Sequence, residues 1–165
     1  MDVLLLLPDG TNPDTDPALK LRIEEFIGSC WDAGLEIGSS VRTVDECLAR
    51  AQQDITAQTS MLEMRHIGGS TEHFAQLLAQ LPSTFHPQDF FLAKHLELRQ
   101  RHTKFENAPY ALEPNCKESP GGLRDLHTIL WVAKAANLGH DWHELAQHGI
   151  LTNLEAQQLE RNETT

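Results

Sequence analysis

No long apolar run occurs in this sequence: among 165 residues no run, Val3–Leu7 included, exceeds five. A helix crossing a bilayer needs ~20 such residues. Basic charge is scarce as well, with 13 Lys+Arg against 24 Asp+Glu and a net charge of −11. Polynucleotide binding normally rests on a basic surface that releases phosphate counterions, so this balance argues against nucleic acid as a partner. Nucleotides stay open as small substrates, because a divalent cation can neutralise carboxylate and phosphate together. The three cysteines, Cys30, Cys47 and Cys116, form no C-x-x-C pair and are odd in number, which reads as reduced thiols rather than a disulfide framework. Asp2 follows Met1 directly with no basic segment, which argues against a secretory signal. Neither a Gly-x-Ser-x-Gly elbow nor a Gly-x4-Gly-Lys-Ser/Thr loop is present. A membrane span, a secreted scaffold and a disordered tail are thereby set aside, and a cytoplasmic globular chain is expected.

What is present reads as two strands followed by helices. Met1–Leu7 is a buried-strand pattern closed by the turn set Pro8-Asp9-Gly10. From Ala18 the apolar positions Leu19, Ile23, Phe26, Ile27, Cys30 and Trp31 follow helical spacing up to Gly34. Leu35–Val41 reads as a second strand. Thr43-Val-Asp-Glu46 is a capping box opening a helix to about Gln53. Helical spacing continues over 55–67, 71–81, 87–105, 123–138, 141–148 and 153–162, with Thr152-Asn-Leu-Glu155 a second capping box. The fold class expected is α+β and helix-dominated. A two-strand sheet is marginal alone, so the sheet reads as truncated.

Two groups of residues could carry chemistry. Asp2 opens an apolar strand, and Glu36 is flanked by Leu35 and Ile37 on the second expected strand. A carboxylate on a hydrophobic strand is costly unless paired, at an edge or bound to a cation. The pair therefore reads either as a divalent-metal site or as solvent-facing carboxylates. The second group is the segment Leu112-Glu-Pro-Asn-Cys-Lys-Glu-Ser-Pro-Gly-Gly-Leu-Arg-Asp-Leu-His127. There a Ser-Pro-Gly-Gly turn feeds a helix starting near Leu123. Free N–H groups at that helix end, with Lys117, Gly121, Gly122 and Arg124, would make an anion-binding geometry. The alternative is a capping turn with surface ion pairs. Arg42 and Arg65 are weaker candidates and could instead pair with acidic neighbours such as Asp45 or Glu63. His140, His143 and Glu144 read as surface groups, and Trp142 as a cap contact.

The stretch 112–133, continuing Thr-Ile-Leu-Trp-Val-Ala133, resembles the family of bacterial protein-PII uridylyltransferase/uridylyl-removing enzymes. Three further segments resemble it in the same order: Trp31-Asp-Ala-Gly-Leu-Glu-Ile-Gly-Ser-Ser-Val-Arg-Thr-Val-Asp-Glu-Cys47, then Asp54-Ile-Thr with Leu62-Glu-Met-Arg65, and His148-Gly-Ile-Leu-Thr-Asn-Leu-Glu155.

The resemblance implies a remnant of a polymerase-β-like nucleotidyltransferase sheet over 1–68, followed by a helical uridylyltransferase-associated domain over 69–165. It implies transfer of UMP from UTP to a tyrosine of the PII signal protein, dependent on Mg²⁺. Asp2 then takes the place of the second metal-binding aspartate of the family's Ser-Asp-x-Asp strand, and Glu36 that of the third carboxylate. The first aspartate and the triphosphate-cradling Gly-Gly-x-Gly-Arg segment are absent from these residues, so the chain alone is expected to be inactive and to be a fragment at both ends. Ser39 stands where the family usually has His. The competing expectation is a non-catalytic helical docking or regulatory module.

Overall fold

The computed structural model describes residues 1–105 and 115–164. Residues Leu112–Pro114 of the 112–133 segment, and Pro109, lie outside the described residues. Among the described residues ten strands and α-helices follow one another: β1 (Asp2–Leu7), α1 (Pro17–Asp32), β2 (Gly38–Thr43), α2 (Val44–Gln53), α3 (Ile55–Met61), α4 (Thr71–Gln80), α5 (Pro87–Lys104), α6 (Leu123–Ala135), α7 (Trp142–Gln147) and α8 (Asn153–Thr164). This is the helix-dominated α+β chain expected. Among the described residues, no helix is long and apolar enough to cross a membrane.

The chain divides into two compact units that interleave in sequence: 1–54 with 65–84, and 55–64 with 85–165. In the first unit β1 and β2 pair in parallel, Asp2 opposite Gly38 and Leu7 opposite Thr43. The second strand starts three residues later than the apolar pattern suggests. Gly34, at φ +79°, turns the chain out of α1, and the Ile37 N–H bonds back to the Leu35 carbonyl. Pairing becomes possible only where Gly38 N–H reaches the Met1 carbonyl at 2.9 Å. Glu36 therefore lies in coil, not on the strand. The Thr43–Glu46 capping box forms in both directions, with Thr43 Oγ1 accepting from the Glu46 N–H and Glu46 Oε2 from the Thr43 N–H. It aims α2 so that Val44, Cys47 and Ala51 are buried. Leu77 of α4 and Leu81, in the 3-10 turn Leu81–Thr84, are buried in the same unit. By contrast α1 has no buried residue: Leu19, Ile23, Ile27 and Cys30 are half-buried, and Trp31 is 62% exposed.

The second unit is organised on α6, which is buried on two faces. Leu130 and Ala133 pack with Trp142, Leu145 and Ala156 of α7 and α8. Trp131 and Ala135 pack with Phe90 of α5, edged by Ile55, Leu62 and Phe85. Spacings of three and four residues separate the members of each set, so the helix carries apolar residues on two faces, with Arg124, Asp125 and His127 in its first turns. Both buried indoles find a carboxylate: Trp131 Nε1 donates to Glu63 Oε1 and Trp142 Nε1 to Glu163 Oε2, each at 2.8 Å. Trp142 is thus a core residue, 4% exposed, and not the cap contact its position suggests. The helix ends at Ala135 rather than 138 because Asn137 adopts φ +55° and the Leu138 N–H bonds the Ala133 carbonyl, a left-handed C-terminal stop. Likewise α3 stops at Met61, where the Leu62 N–H is shared between the Gln58 and Thr59 carbonyls.

Cys47 is fully buried on α2, and burial pushes its thiol up to about 11, with Arg42 opposing and Glu46 adding to the rise. Cys116 is exposed and Cys30 intermediate. Thiolate is the reactive form, so titration of the native protein with a disulfide reagent at pH 8 is expected to modify Cys116 first, Cys30 more slowly and Cys47 only on unfolding. Three equal rates would contradict this packing.

Candidate functional site

The segment 115–125 folds as a self-contained turn before α6. Asn115 Oδ1 accepts from the Lys117 and Glu118 N–H groups at 3.1 and 3.0 Å, an Asx turn of the kind asparagine favours. The Ser119 N–H then bonds the Asn115 carbonyl, Gly122 N–H the Ser119 carbonyl, Leu123 N–H the Cys116 carbonyl and Arg124 N–H the Lys117 carbonyl, all within 2.8–2.9 Å. The remaining donor, Gly121 N–H, reaches Asp125 Oδ2 at 2.7 Å. These N–H groups at the start of α6 are therefore satisfied inside the turn. The expectation of free backbone donors for an anion is corrected: Asp125, in the first turn of the helix, occupies the place such an anion would take.

The two glycines have structural reasons. Gly121 sits at φ +80°, where a side chain is strained. A Cβ on Gly122 would come within 2.6 Å of the Cys116 carbonyl oxygen and 2.9 Å of that of Ser119. Lys117 is exposed and not part of the cleft described below, whereas Arg124 is turned into it.

Asp125 is the centre of a charged cluster. Besides the Gly121 N–H it holds the Arg101 guanidinium and His102 of α5; His102 Nε2 lies 2.9 and 3.0 Å from its two oxygens. Burial alone would raise its carboxyl, but the donated hydrogen bonds from Gly121, His102 and Arg101 outweigh that and hold it below the usual value. Beside this cluster lies an open cleft of about 770 Å³, within the size range of small-ligand sites. Its walls carry the cations Lys94, Arg101, Lys104 and Arg124, the carboxylates Glu63, Glu97 and Glu118, and the Trp131 ring. Arg124 bonds Glu118 Oε1 at 3.2 Å, and its Cζ stands 5.7 Å from the Trp131 ring centroid. Lys94, only 5% exposed at its side chain, pairs with Glu97 at 2.7 Å and lies 5.3 Å from the same ring. Trp131 is thus flanked by two cations.

Sequence reasoning found the turn and Arg124 but missed Arg101, His102, Asp125 and Lys94. The available signals were local: an acid in the first turn of α6, and a lysine four residues after Phe90 on a helix. Their meeting depends on tertiary placement.

The carboxylate pair fares differently. Asp2 lies at the exposed start of β1, its side chain over Gly38, where a Cβ would be 2.5 Å from Asp2 Oδ1. Glu36 is exposed, and its carbonyl accepts from the Met1 amino group at 3.3 Å. Among the described residues, no group of three His, Cys, Asp or Glu side chains is placed to hold a metal ion. Mg²⁺ requires near-octahedral oxygen ligation, and two exposed carboxylates do not by themselves fit it. Arg42, on β2, lines a small surface depression with Glu46 and Arg50, and Arg65 is exposed. Glu63, an expected partner for such arginines, is instead held by Trp131 and by Lys134 at 3.7 Å.

Comparison with known proteins gives the wider context. Residues 89–165 match the family model described as GlnD PII-uridylyltransferase. The chain is 58% identical over 163 residues to the bifunctional uridylyltransferase/uridylyl-removing enzyme of Cupriavidus pinatubonensis, and 56% and 55% identical over the same length to those of Burkholderia lata and Burkholderia mallei. These matches cover 99% of this chain and 18% of each relative, so the chain spans under a fifth of their length. No solved structure matches it.

Two outcomes test the turn. Asp125→Asn is expected to cost about 2–3 kcal/mol near pH 6, because it leaves the enclosed Arg101 charge uncompensated. The lowered carboxyl stabilises the fold fully above its unfolded value near 3.8, and that contribution is lost as pH falls through the lower folded value. Denaturant unfolding from pH 6 to 2.5 should therefore show wild type and variant converging; a constant gap would contradict the assignment. Separately, Gly122→Ala should destabilise by ~1–3 kcal/mol, because the methyl meets backbone carbonyls. A neutral result in the same measurement would contradict the turn geometry.

Proposed function

Because the chain belongs to the family of the bifunctional uridylyltransferase/uridylyl-removing enzymes, we propose that it serves, within a full-length enzyme, the transfer of UMP from UTP to a tyrosine of the PII signal protein. The observation that carries this reading is the turn of 115–125, which lies inside the residues matched by the family model and presents Arg124 to a cleft. In this reading Arg124 bears on the nucleotide phosphates or on the PII acceptor segment. Lys117 adds positive charge at the surface of the same turn, and Gly121 and Gly122 give the turn its shape. Asp125 and Trp131 hold Arg124 and its neighbours in place rather than react.

Mg²⁺, when bound, would neutralise phosphate charge; Asp2 and Glu36 are the carboxylates these residues offer to it. They do not complete a site, so no step is assigned to them here. Neither a Gly-Gly-x-Gly-Arg segment nor a Ser-Asp-x-Asp strand occurs in the sequence. Losing such contacts typically costs ~10²–10³ in rate each, so the isolated chain is proposed to lack transfer activity.

One assay covers both statements. The chain incubated with PII, labelled UTP and Mg²⁺ should leave PII unlabelled. A full-length relative in which this segment replaces its own should label it. In that chimera Arg124→Ala should lower kcat/KM by about 10-fold or more. Label on PII from the chain alone, or unchanged kinetics in Arg124→Ala, would contradict the reading.

A further inference from the structure

We propose that the cleft beside the turn is a seat for a multiply charged phosphate ligand, and that Glu118 is a built-in carboxylate which such a ligand displaces from Arg124. The proposal deepens the role given to Arg124 above and rests on that reading only through this residue.

The cations of the wall are unequally satisfied. Lys94 is matched by Glu97 at 2.7 Å. Arg101 meets Asp125 with one arm, yet its buried Nε has no hydrogen-bond partner among the described residues. That carboxylate is also shared with His102 and the Gly121 N–H. Lys104 stands 6.0 Å from the Phe105 ring centroid and has no carboxylate partner among the described residues. Among the described residues Arg124 is held by Glu118 at 3.2 Å and by the Trp131 face, and both members of that ion pair are one-third exposed. An ion pair so open to water contributes little, typically ~0–1 kcal/mol. It is the weak link of the wall, and it closes on the residue with the best geometry for phosphate: a planar fork able to bond two oxygens.

Charge decides the ligand class. A monocarboxylate would exchange one negative charge for another at Arg124 and gain nothing. A pyrophosphate-type anion carries enough charge to replace Glu118 and also engage Lys104 and the field of Arg101. The Thr128 hydroxyl is not part of this set, because it donates to the Arg124 carbonyl. Once displaced, Glu118 can turn to solvent from its place in the turn, since its N–H, not its side chain, is tied to Asn115.

Calorimetric titration of the chain with inorganic pyrophosphate, without Mg²⁺ and at low salt, tests this independently of any transfer to PII. Wild type should bind weakly, and Glu118→Gln should bind at least ~3-fold more tightly, as expected for removing one competing exposed pair. Arg124→Gln and Lys104→Gln should each bind at least ~5-fold more weakly, with acetate failing to compete in any protein. UTP binding like pyrophosphate would mean that the phosphates alone are read, and tighter UTP binding that the base is also contacted; each supports a phosphate seat. Pyrophosphate binding that is absent, unchanged in Arg124→Gln, or weakened in Glu118→Gln would overturn the proposal. The thermal melt of each variant, matched to wild type, identifies loss through misfolding. Should Arg124→Gln melt early, Glu118→Gln decides alone.

Discussion

The carboxylate of Asp125 is the point on which the second compact unit turns. One side chain accepts from the backbone of Gly121, from Arg101 and from His102. It thereby closes the turn, caps the positive end of α6 and fixes that end against α5. A helix N-terminus without such a partner leaves donors unsatisfied and attracts any available anion. Here the sequence supplies the anion itself, four residues after the glycine that needs it. Arg124 directly precedes Asp125 in the turn so closed, over the Trp131 ring and into the cleft.

A second constraint comes from burying polar groups on an otherwise apolar helix. α6 carries Trp131 into one core and, through its other face, packs against Trp142. Each indole N–H would be costly if left without an acceptor. Glu63 and Glu163 provide one acceptor each; Lys134 Nζ lies 3.7 Å from Glu63, and His127 Nε2 lies 3.4 Å from Glu163. The acidic excess of the chain is therefore partly structural. Its carboxylates serve as acceptors for the buried indoles and as partners of Arg101 and Lys94.

What the sequence made legible was local. Capping boxes at Thr43 and Thr152, helices over 71–81 and 87–105, and the apolar first strand are all written in short-range chemistry, and the structure repeats them. The second strand slipped because Leu35 and Ile37 look strand-like, whereas parallel pairing begins only where the backbone of Gly38 meets Met1. Glu36 lost its strand position for the same reason. The α6 end allowed two readings, an anion site or a capping turn with surface ion pairs; the carbonyls of Cys116, Lys117 and Ser119 fold back onto those amides, which is the second. Arg101 and His102 lie more than twenty residues from Asp125, so no periodicity could announce their meeting. In each case the missed information is tertiary, and the residue types alone are consistent with both outcomes.

The turn ahead of α6 draws the Gly121 amide, Arg101 and His102 onto one carboxylate. Its geometry depends on Asp125 closing the turn from within. Amide hydrogen exchange at Gly121 measures this most directly, with the Leu145 N–H, bonded to the Asp141 carbonyl, as an internal reference. In the native protein the Gly121 amide is expected to be protected, and in Asp125→Ala to lose that protection while Leu145 keeps its own. A Gly121 amide that exchanges like an unstructured one in the native protein, or that stays protected in Asp125→Ala, would contradict the account.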